Sequence, residues 1–133
     1  MSEPIEYLDI DDLVGLARSL LGDPPPIRDI GLLGSAAARP QAAAFGQDAY
    51  PDLMTKAAAL LQSIVNNHAL VDGNKRLGWL ATAVFLELNG SRASRASNDD
   101  VYDLVRWIAA SNPNLDEIVT RLRRVIQPQR RRG

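Results

Sequence analysis

Apolar residues recur along most of this chain with the spacing of one face of an α-helix. In the first such stretch Leu13, Leu16 and Leu20 share a face, between Asp9 and Gly22. Aspartate is a common N-cap and glycine commonly follows the last helical residue, so a helix is predicted between these two positions. Residues that favour strands never alternate with polar ones over a useful length, and strand signals are nearly absent.

The same pattern predicts further helices joined by short connections. One begins near Ile30 and ends at Pro40, and the next has Pro51 as its first helical residue. Another runs over residues 74–89 and is followed by Gly90, a residue type that commonly ends helices.

The last two predicted helices begin at polar side chains. Asn98 is predicted to cap one of them, and Asn114 with Glu117 resembles a capping box for the other, which ends before Pro128. Three prolines make residues 23–29 a loop, because proline is excluded from helix interiors. The predicted fold is an all-α bundle of about six helices.

Length and composition favour one folded domain. The chain has 133 residues, of which 46% are hydrophobic, and we expect a domain over residues 1–126 and a basic, disordered tail over residues 127–133. The absence of cysteine excludes disulfides and thiolate metal sites. No signal core or membrane-spanning run is present, which predicts a cytoplasmic protein. A net charge of −1 steers no class of partner strongly. The terminal arginines are interpreted as a solvated end, with a nucleic-acid-binding arm as the alternative.

The only histidine, His68, lies between the third and fourth predicted helices. An acid, a glycine, an amide and two cations follow it closely: Asp72, Gly73, Asn74, Lys75 and Arg76. The first N–H groups of a helix lack intrahelical partners and attract anions, and glycine allows a ligand to approach the backbone. The two cations add positive charge at the same helix start. This combination predicts a phosphate site.

An acid beside a phosphate site is repulsive unless a cation lies between them. Mg²⁺ shared by Asp72 and phosphate oxygens would remove the conflict. His68, about one helical turn away, could take a proton from an attacking hydroxyl. A base, a metal-binding carboxylate and an anion site together suit phosphoryl transfer.

Each of these residues also has an ordinary structural interpretation. His68 could be a helix C-cap, and Asp72 could cap the next helix or form a turn with Gly73. Asn74 could be a turn residue, and the two cations could be surface charges. Residue types and spacing alone leave both interpretations open.

The segment HALVDGNKR resembles the Fic/Doc signature H-x-F-x-D/E-G/A-N-K/G-R, and its lysine is typical of the Doc branch. The segments RDIGLLGSAAARP, AFGQDAYPDLMTKAAALLQSIVNNHALVDGNKR and FLELNG resemble Doc-family segments in order and spacing, so that the resemblance covers about residues 7–126. It implies the compact α-helical Fic fold and a toxin paired with a separate antitoxin.

The resemblance also implies roles for individual residues. His68 would be the general base, and Asp72 the acid that organises Mg²⁺. Gly73 and Asn74 would shape the anion site. Lys75 and the arginine that follows it would bind the phosphates of ATP, with Lys75 also contributing to catalysis.

The family contains both AMP transferases and the phosphate-transferring Doc branch. AMP-transferring members have glycine at the position of Lys75 and a second arginine at the position of Trp79. The resemblance therefore implies transfer of the γ-phosphate of ATP to a hydroxyl of a translation factor of the elongation factor Tu class. Alternatives are AMP transfer to a protein hydroxyl, and a catalytically silent helical module that binds its antitoxin or DNA.

Three positions depart from the family pattern. Leu70 replaces a phenylalanine, Leu77 replaces a frequent threonine, and Ala69 replaces a frequent proline or isoleucine. The sequence also lacks the S/T-x-x-x-E-G/N motif of the inhibitory helix that many Fic proteins carry. A separate antitoxin is therefore the expected inhibitor, and contact with nucleic acid is expected only through that antitoxin.

Overall fold

The structure is a computed structural model and describes residues 4–127. Within this range the predicted all-α bundle is confirmed. Its helices are α1 (Ile10–Leu21), α2 (Ile30–Ala38), α3 (Leu53–Asn67), α4 (Asn74–Leu88), α5 (Asn98–Ser111) and α6 (Leu115–Ile126). Short 3₁₀ helices, Arg39–Gln41 and Ala93–Arg95, follow α2 and α4. None of the helices in residues 4–127 has the length and apolar character needed to cross a bilayer. Apart from Gln127, the predicted tail lies outside the described residues.

Two helix starts follow the predicted capping residues closely. Asp9 caps α1 and Asn114 caps α6, each in a reciprocal capping box with the third helical residue. Such a box satisfies an N–H group of the first turn and the N–H of the cap itself. The local sequence therefore determines where these two helices begin.

Two other predicted starts were wrong by one or two positions. The cap of α5 is Ser97 rather than Asn98, because the Ser97 hydroxyl accepts a hydrogen bond from the third helical N–H at 3.1 Å. Pro51 lies outside α3, and the Asp52 carboxylate caps that helix with a 2.7 Å hydrogen bond. In both cases the helix begins directly after the side chain that accepts a hydrogen bond from a backbone N–H group of the first turn.

Helix α3 is the centre of the bundle and packs against α2, α4, α5 and α6. Its apolar face is buried at Ala57, Leu60, Leu61, Ile64 and Val65. On α4, a Cβ atom added to Gly78 would lie 2.8 Å from Val65 Cγ2, so glycine allows the two helices to approach closely. The loop that joins α3 to α4 is therefore anchored at both ends in the packed core.

A small β-hairpin between α2 and α3 was missed by the sequence analysis. Strand β1 (Ala43–Ala44) pairs antiparallel with β2 (Gln47–Asp48). Its two turn residues, Phe45 and Gly46, both have positive φ, 54° and 76°, as a two-residue type I′ turn requires. Two-residue strands cannot show an alternating pattern, which explains why no strand was predicted. Phe45 is fully exposed at the tip of the hairpin.

A buried lysine fastens this hairpin to the bundle. Lys56 Nζ donates to the carbonyl oxygen of Pro40 at 3.1 Å and to Asp48 Oδ2 at 3.2 Å, and it lies 5.3 Å from the centre of the Tyr7 ring. Burial by itself lowers the pKa of Lys56, but its interactions with Tyr7 and Asp48 outweigh burial and raise that pKa. The charge is thus stabilised in the interior by partners from three parts of the chain.

Candidate active site between α3 and α4

The predicted site residues lie in and beside the six-residue connection between α3 and α4. His68 is the C-cap of α3 and has a left-handed backbone, with φ 56° and ψ 43°. Its backbone thus ends the helix, as the ordinary interpretation supposed, while its side chain remains exposed. A C-cap role and a chemical role for His68 are therefore compatible.

One surface cavity brings the predicted residues together. It has a volume of about 190 Å³, and its lining includes His68, Asp72, Gly73, Asn74, Lys75 and Arg76. The remaining lining residues are Val65, Val71 and, from α5, Ala109. A base, an acid and two cations thus face a small common space.

The start of α4 differs from the other helix starts in the described range. Gly73 is its N-cap and provides no side-chain cap, whereas the other five α-helices are capped by an aspartate, serine or asparagine side chain. The first N–H groups of α4 therefore keep their capacity to bind an anion. The positive end of the helix dipole lies at the same place.

Two features of the structure require glycine at position 73. Its φ is 90°, which side chains rarely tolerate, and an added Cβ would lie 2.8 Å from both Cδ atoms of Leu21 at the end of α1. The sequence analysis expected glycine to allow the approach of a ligand. The contact with α1 shows that glycine allows close packing behind the cavity, and the approach of a ligand stays a prediction.

Asp72 is not the cap of α4, so that ordinary interpretation is wrong. Its Oδ1 accepts a hydrogen bond from the N–H of Gly73 at 2.9 Å, which precedes the helix. The side chain is exposed and lines the cavity. Among the described residues no hydrogen bond reaches its second carboxylate oxygen, Oδ2.

The donor set fits a magnesium ion that arrives with a nucleotide. Residues 4–127 contain no group of three or more His, Asp or Glu side chains that could hold a metal by themselves. Mg²⁺ is commonly bound through one or two carboxylates together with substrate phosphates and water. Asp72 beside the start of α4 matches that mode of binding.

The side-chain amide of Asn74 forms two hydrogen bonds that hold the loop in shape. Its Oδ1 accepts from the N–H of Leu70 at 3.0 Å, and its Nδ2 donates to the Leu70 carbonyl at 3.0 Å. The Asn74 side chain thus fixes the loop, while its backbone N–H belongs to the open start of α4. This arrangement agrees with a shaping role rather than direct side-chain contact with phosphate.

Two of the departures from the family pattern, Leu70 and Leu77, lie in the core. Leu70 is 1% exposed and Leu77 is 0% exposed, and both belong to the hydrophobic core. Neither lines the cavity of His68. Replacement of the family's phenylalanine and threonine by leucine therefore changes packing rather than the cavity lining.

The proline-rich loop makes a contribution that the sequence analysis did not recognise. Ile27 forms an antiparallel β-bridge with Leu70, and the N–H of Val71 donates to the Pro26 carbonyl at 2.9 Å. Arg28, which was not singled out, hydrogen-bonds the carbonyl of His68. The prolines predicted a loop, and that signal does not identify the segment against which the loop packs.

Comparisons with known proteins found one matching family and one similar relative. The Fic/DOC family matches residues 7–86, which include every residue of the predicted site. A protein named Toxin Doc, from Mycolicibacterium smegmatis (strain ATCC 700084 / mc(2)155), is 48% identical over 118 residues, covering 88% of this chain and 91% of that protein.

Proposed function

Because the chain belongs to the Fic/Doc family, we propose that it is a toxin that transfers the γ-phosphate of ATP to a protein hydroxyl. The strong similarity to Toxin Doc supports the assignment as the toxin of a toxin–antitoxin pair. The observation that best supports phosphate chemistry is the start of α4. It has no side-chain cap, it follows a glycine with positive φ, and it shares a cavity with His68.

Each polar residue of the cavity has a task in this proposal. The open N–H groups of α4, together with Lys75 and Arg76, bind the phosphates of ATP. Asp72 would hold Mg²⁺, which, when bound, neutralises charge on the phosphate oxygens. Asn74 fixes the loop from which these groups project.

The proposed reaction is a direct transfer. The acceptor hydroxyl oxygen bonds to the γ-phosphorus, the bond from that phosphorus to the bridging oxygen breaks, and ADP leaves. The hydroxyl proton passes to a nitrogen of the His68 imidazole, which acts as the general base. His68 is the C-cap of α3 and lines the same cavity as the start of α4, which is the proposed phosphate site.

Phosphate transfer rather than AMP transfer is favoured by Lys75 and Trp79. An arginine at position 79 would form a planar fork able to bind outer phosphates, but tryptophan has one N–H donor and no charge. Trp79 instead lies on an apolar groove beside the cavity. Without that second arginine, the positive charge is concentrated at the start of α4, which favours an outer phosphate next to His68.

The proposed substrate is a translation factor of the elongation factor Tu class, which would place the reaction in the cytoplasm. Purified protein and ATP labelled on the γ-phosphate, added to a cell lysate, should yield one labelled protein of that class. A catalytically silent binding module would leave all lysate proteins unlabelled.

We also propose that a helix of the antitoxin occupies the apolar groove next to the cavity. The groove has a volume of about 420 Å³, and its lining includes Leu20, Leu80, Ala83, Val101, Tyr102 and Val105 together with Lys75 and Arg76. An apolar groove between helices suits an amphipathic helix. Because the groove includes both phosphate-binding cations, a bound helix would also block ATP.

Tyr102→Glu should weaken antitoxin binding at least about tenfold, because the change places a charge in an apolar contact. Tyr102 is 56% exposed, so the change should leave the fold intact. Leu88→Glu is a matched control, since Leu88 is 49% exposed and lies outside the groove. The affinity of the antitoxin for each variant is measured by titration, and the two affinities are compared with that of the parent. Equal weakening by both variants, or by neither, would refute the groove as the binding site.

A further inference from the structure

Arg28 holds the backbone of His68 from outside helix α3. Its Nε donates to the His68 carbonyl at 2.9 Å, and its Nη2 donates to the same oxygen. That carbonyl lies at the C-terminal end of a helix, where backbone acceptors lack intrahelical partners and cations are favoured. The guanidinium therefore supplies hydrogen bonds to this carbonyl oxygen, and it fixes the orientation of the peptide group that follows His68.

The backbone of the same segment holds the next peptide group. The N–H groups of Arg28 and Asp29 both donate to the Ala69 carbonyl, at 2.8 Å and 3.0 Å. Beyond it, Ile27 pairs with Leu70 through the β-bridge. The two carbonyls that follow the His68 Cα are thus held by one segment, and that segment comes from the loop between α1 and α2.

This support matters because His68 has an uncommon backbone conformation. A residue other than glycine with φ near 56° persists when its surroundings determine the conformation. The direction of the Cα–Cβ bond, and hence the place of the imidazole, follows from that conformation. Loss of the arginine contact would let the peptide group rotate and displace the imidazole from the cavity.

We infer that Arg28 is a positioning residue that keeps the His68 imidazole in line with the acceptor hydroxyl. The inference rests on the proposed role of His68 as the general base. Arg28 acts through the His68 backbone and has no place among the residues that line the cavity. Its removal should therefore slow the chemical step and leave the binding of ATP unchanged.

Arg28→Gln and Arg28→Lys test this role. Glutamine removes the charge and the two-donor fork, whereas lysine keeps the charge and one donor group. We expect kcat for phosphate transfer to fall about 10- to 100-fold in Arg28→Gln, with KM for ATP unchanged, because a small misplacement of a catalytic group has effects of this size. Arg28→Lys should recover part of the loss. Arg18→Gln is the control, since Arg18 is an exposed arginine with a surface ion pair to Asp23.

A second measurement is independent of activity. His68 is the only histidine in the chain, so the imidazole ¹H–¹³C signals of untagged protein report on this residue directly. We expect these signals to shift or broaden in Arg28→Gln and to stay unchanged in Arg18→Gln, while amide signals far from the loop remain as in the parent.

Unchanged imidazole signals in Arg28→Gln would overturn the inference. So would a rise in KM for ATP without a fall in kcat, which would identify Arg28 as a phosphate contact. If the parent transfers no phosphate, the proposed function fails, and the imidazole signals alone then decide whether Arg28 orders His68. If Arg28→Gln does not fold, the same comparisons are made with Arg28→Lys.

Discussion

His68→Asn should lower the rate of phosphate transfer by about 10²- to 10⁴-fold and abolish growth arrest in cells that lack the antitoxin. The loss corresponds to about 3–5 kcal/mol of transition-state stabilisation. Asparagine is the best replacement because it tolerates the left-handed conformation of residue 68, so the loop should keep its shape. The rate is measured by single-turnover transfer from labelled ATP, and growth by induced expression.

His68→Ala is the companion variant. It removes the same base but places alanine at φ 56°, which adds a local destabilisation. Both variants should lose activity equally, while thermal unfolding should show the larger loss of stability for alanine. Growth arrest by His68→Asn as strong as that of the parent would show that His68 is not the base.

Asp72→Asn should lower the transfer rate by about 10²-fold or more and leave the folded structure unchanged. The amide oxygen can still accept the hydrogen bond from the Gly73 N–H, so the local structure is preserved. Only the negative charge is lost, and with it the proposed ligand of Mg²⁺. Activity is measured over a range of Mg²⁺ concentrations, and part of the loss should be recovered at high Mg²⁺.

Asp23→Asn is the matched control for this variant. Asp23 is an exposed carboxylate paired with Arg18, outside the cavity, and its replacement should change stability by less than about 0.5 kcal/mol. If Asp72→Asn and Asp23→Asn are equally active, Asp72 has only a structural role in the turn.

The sequence predicted helices well because their signals are local. Capping residues such as Asp9 and Asn114 lie beside the N–H groups they satisfy, and the apolar stripe of α3 is visible in any stretch of its sequence. The errors at Pro51 and Asn98 arose where two neighbouring residues could each begin a helix. The hairpin was missed because its strands are only two residues long.

The polar residues that meet at the cavity were predicted from the sequence, but the contacts that support them were not. His68 and the five polar or glycine residues after it are close in sequence, so their meeting at one cavity follows from a short turn between two helices. The contacts from Leu21 to Gly73 and from Arg28 to His68 join residues about 40 or more positions apart, and no local pattern encodes them. Burial of Leu77 likewise depends on how α4 packs, which its own sequence leaves open.

Phosphate transfer to a translation factor is the central claim, and one measurement tests it most directly. Purified protein is incubated with elongation factor Tu, Mg²⁺ and ATP labelled on either the α- or the γ-phosphate, and the factor is analysed by mass spectrometry. The account predicts label from the γ-phosphate only, with a mass increase of one phosphate, and no modification by His68→Asn. Label from the α-phosphate, with the mass increase of an adenylyl group, would contradict it.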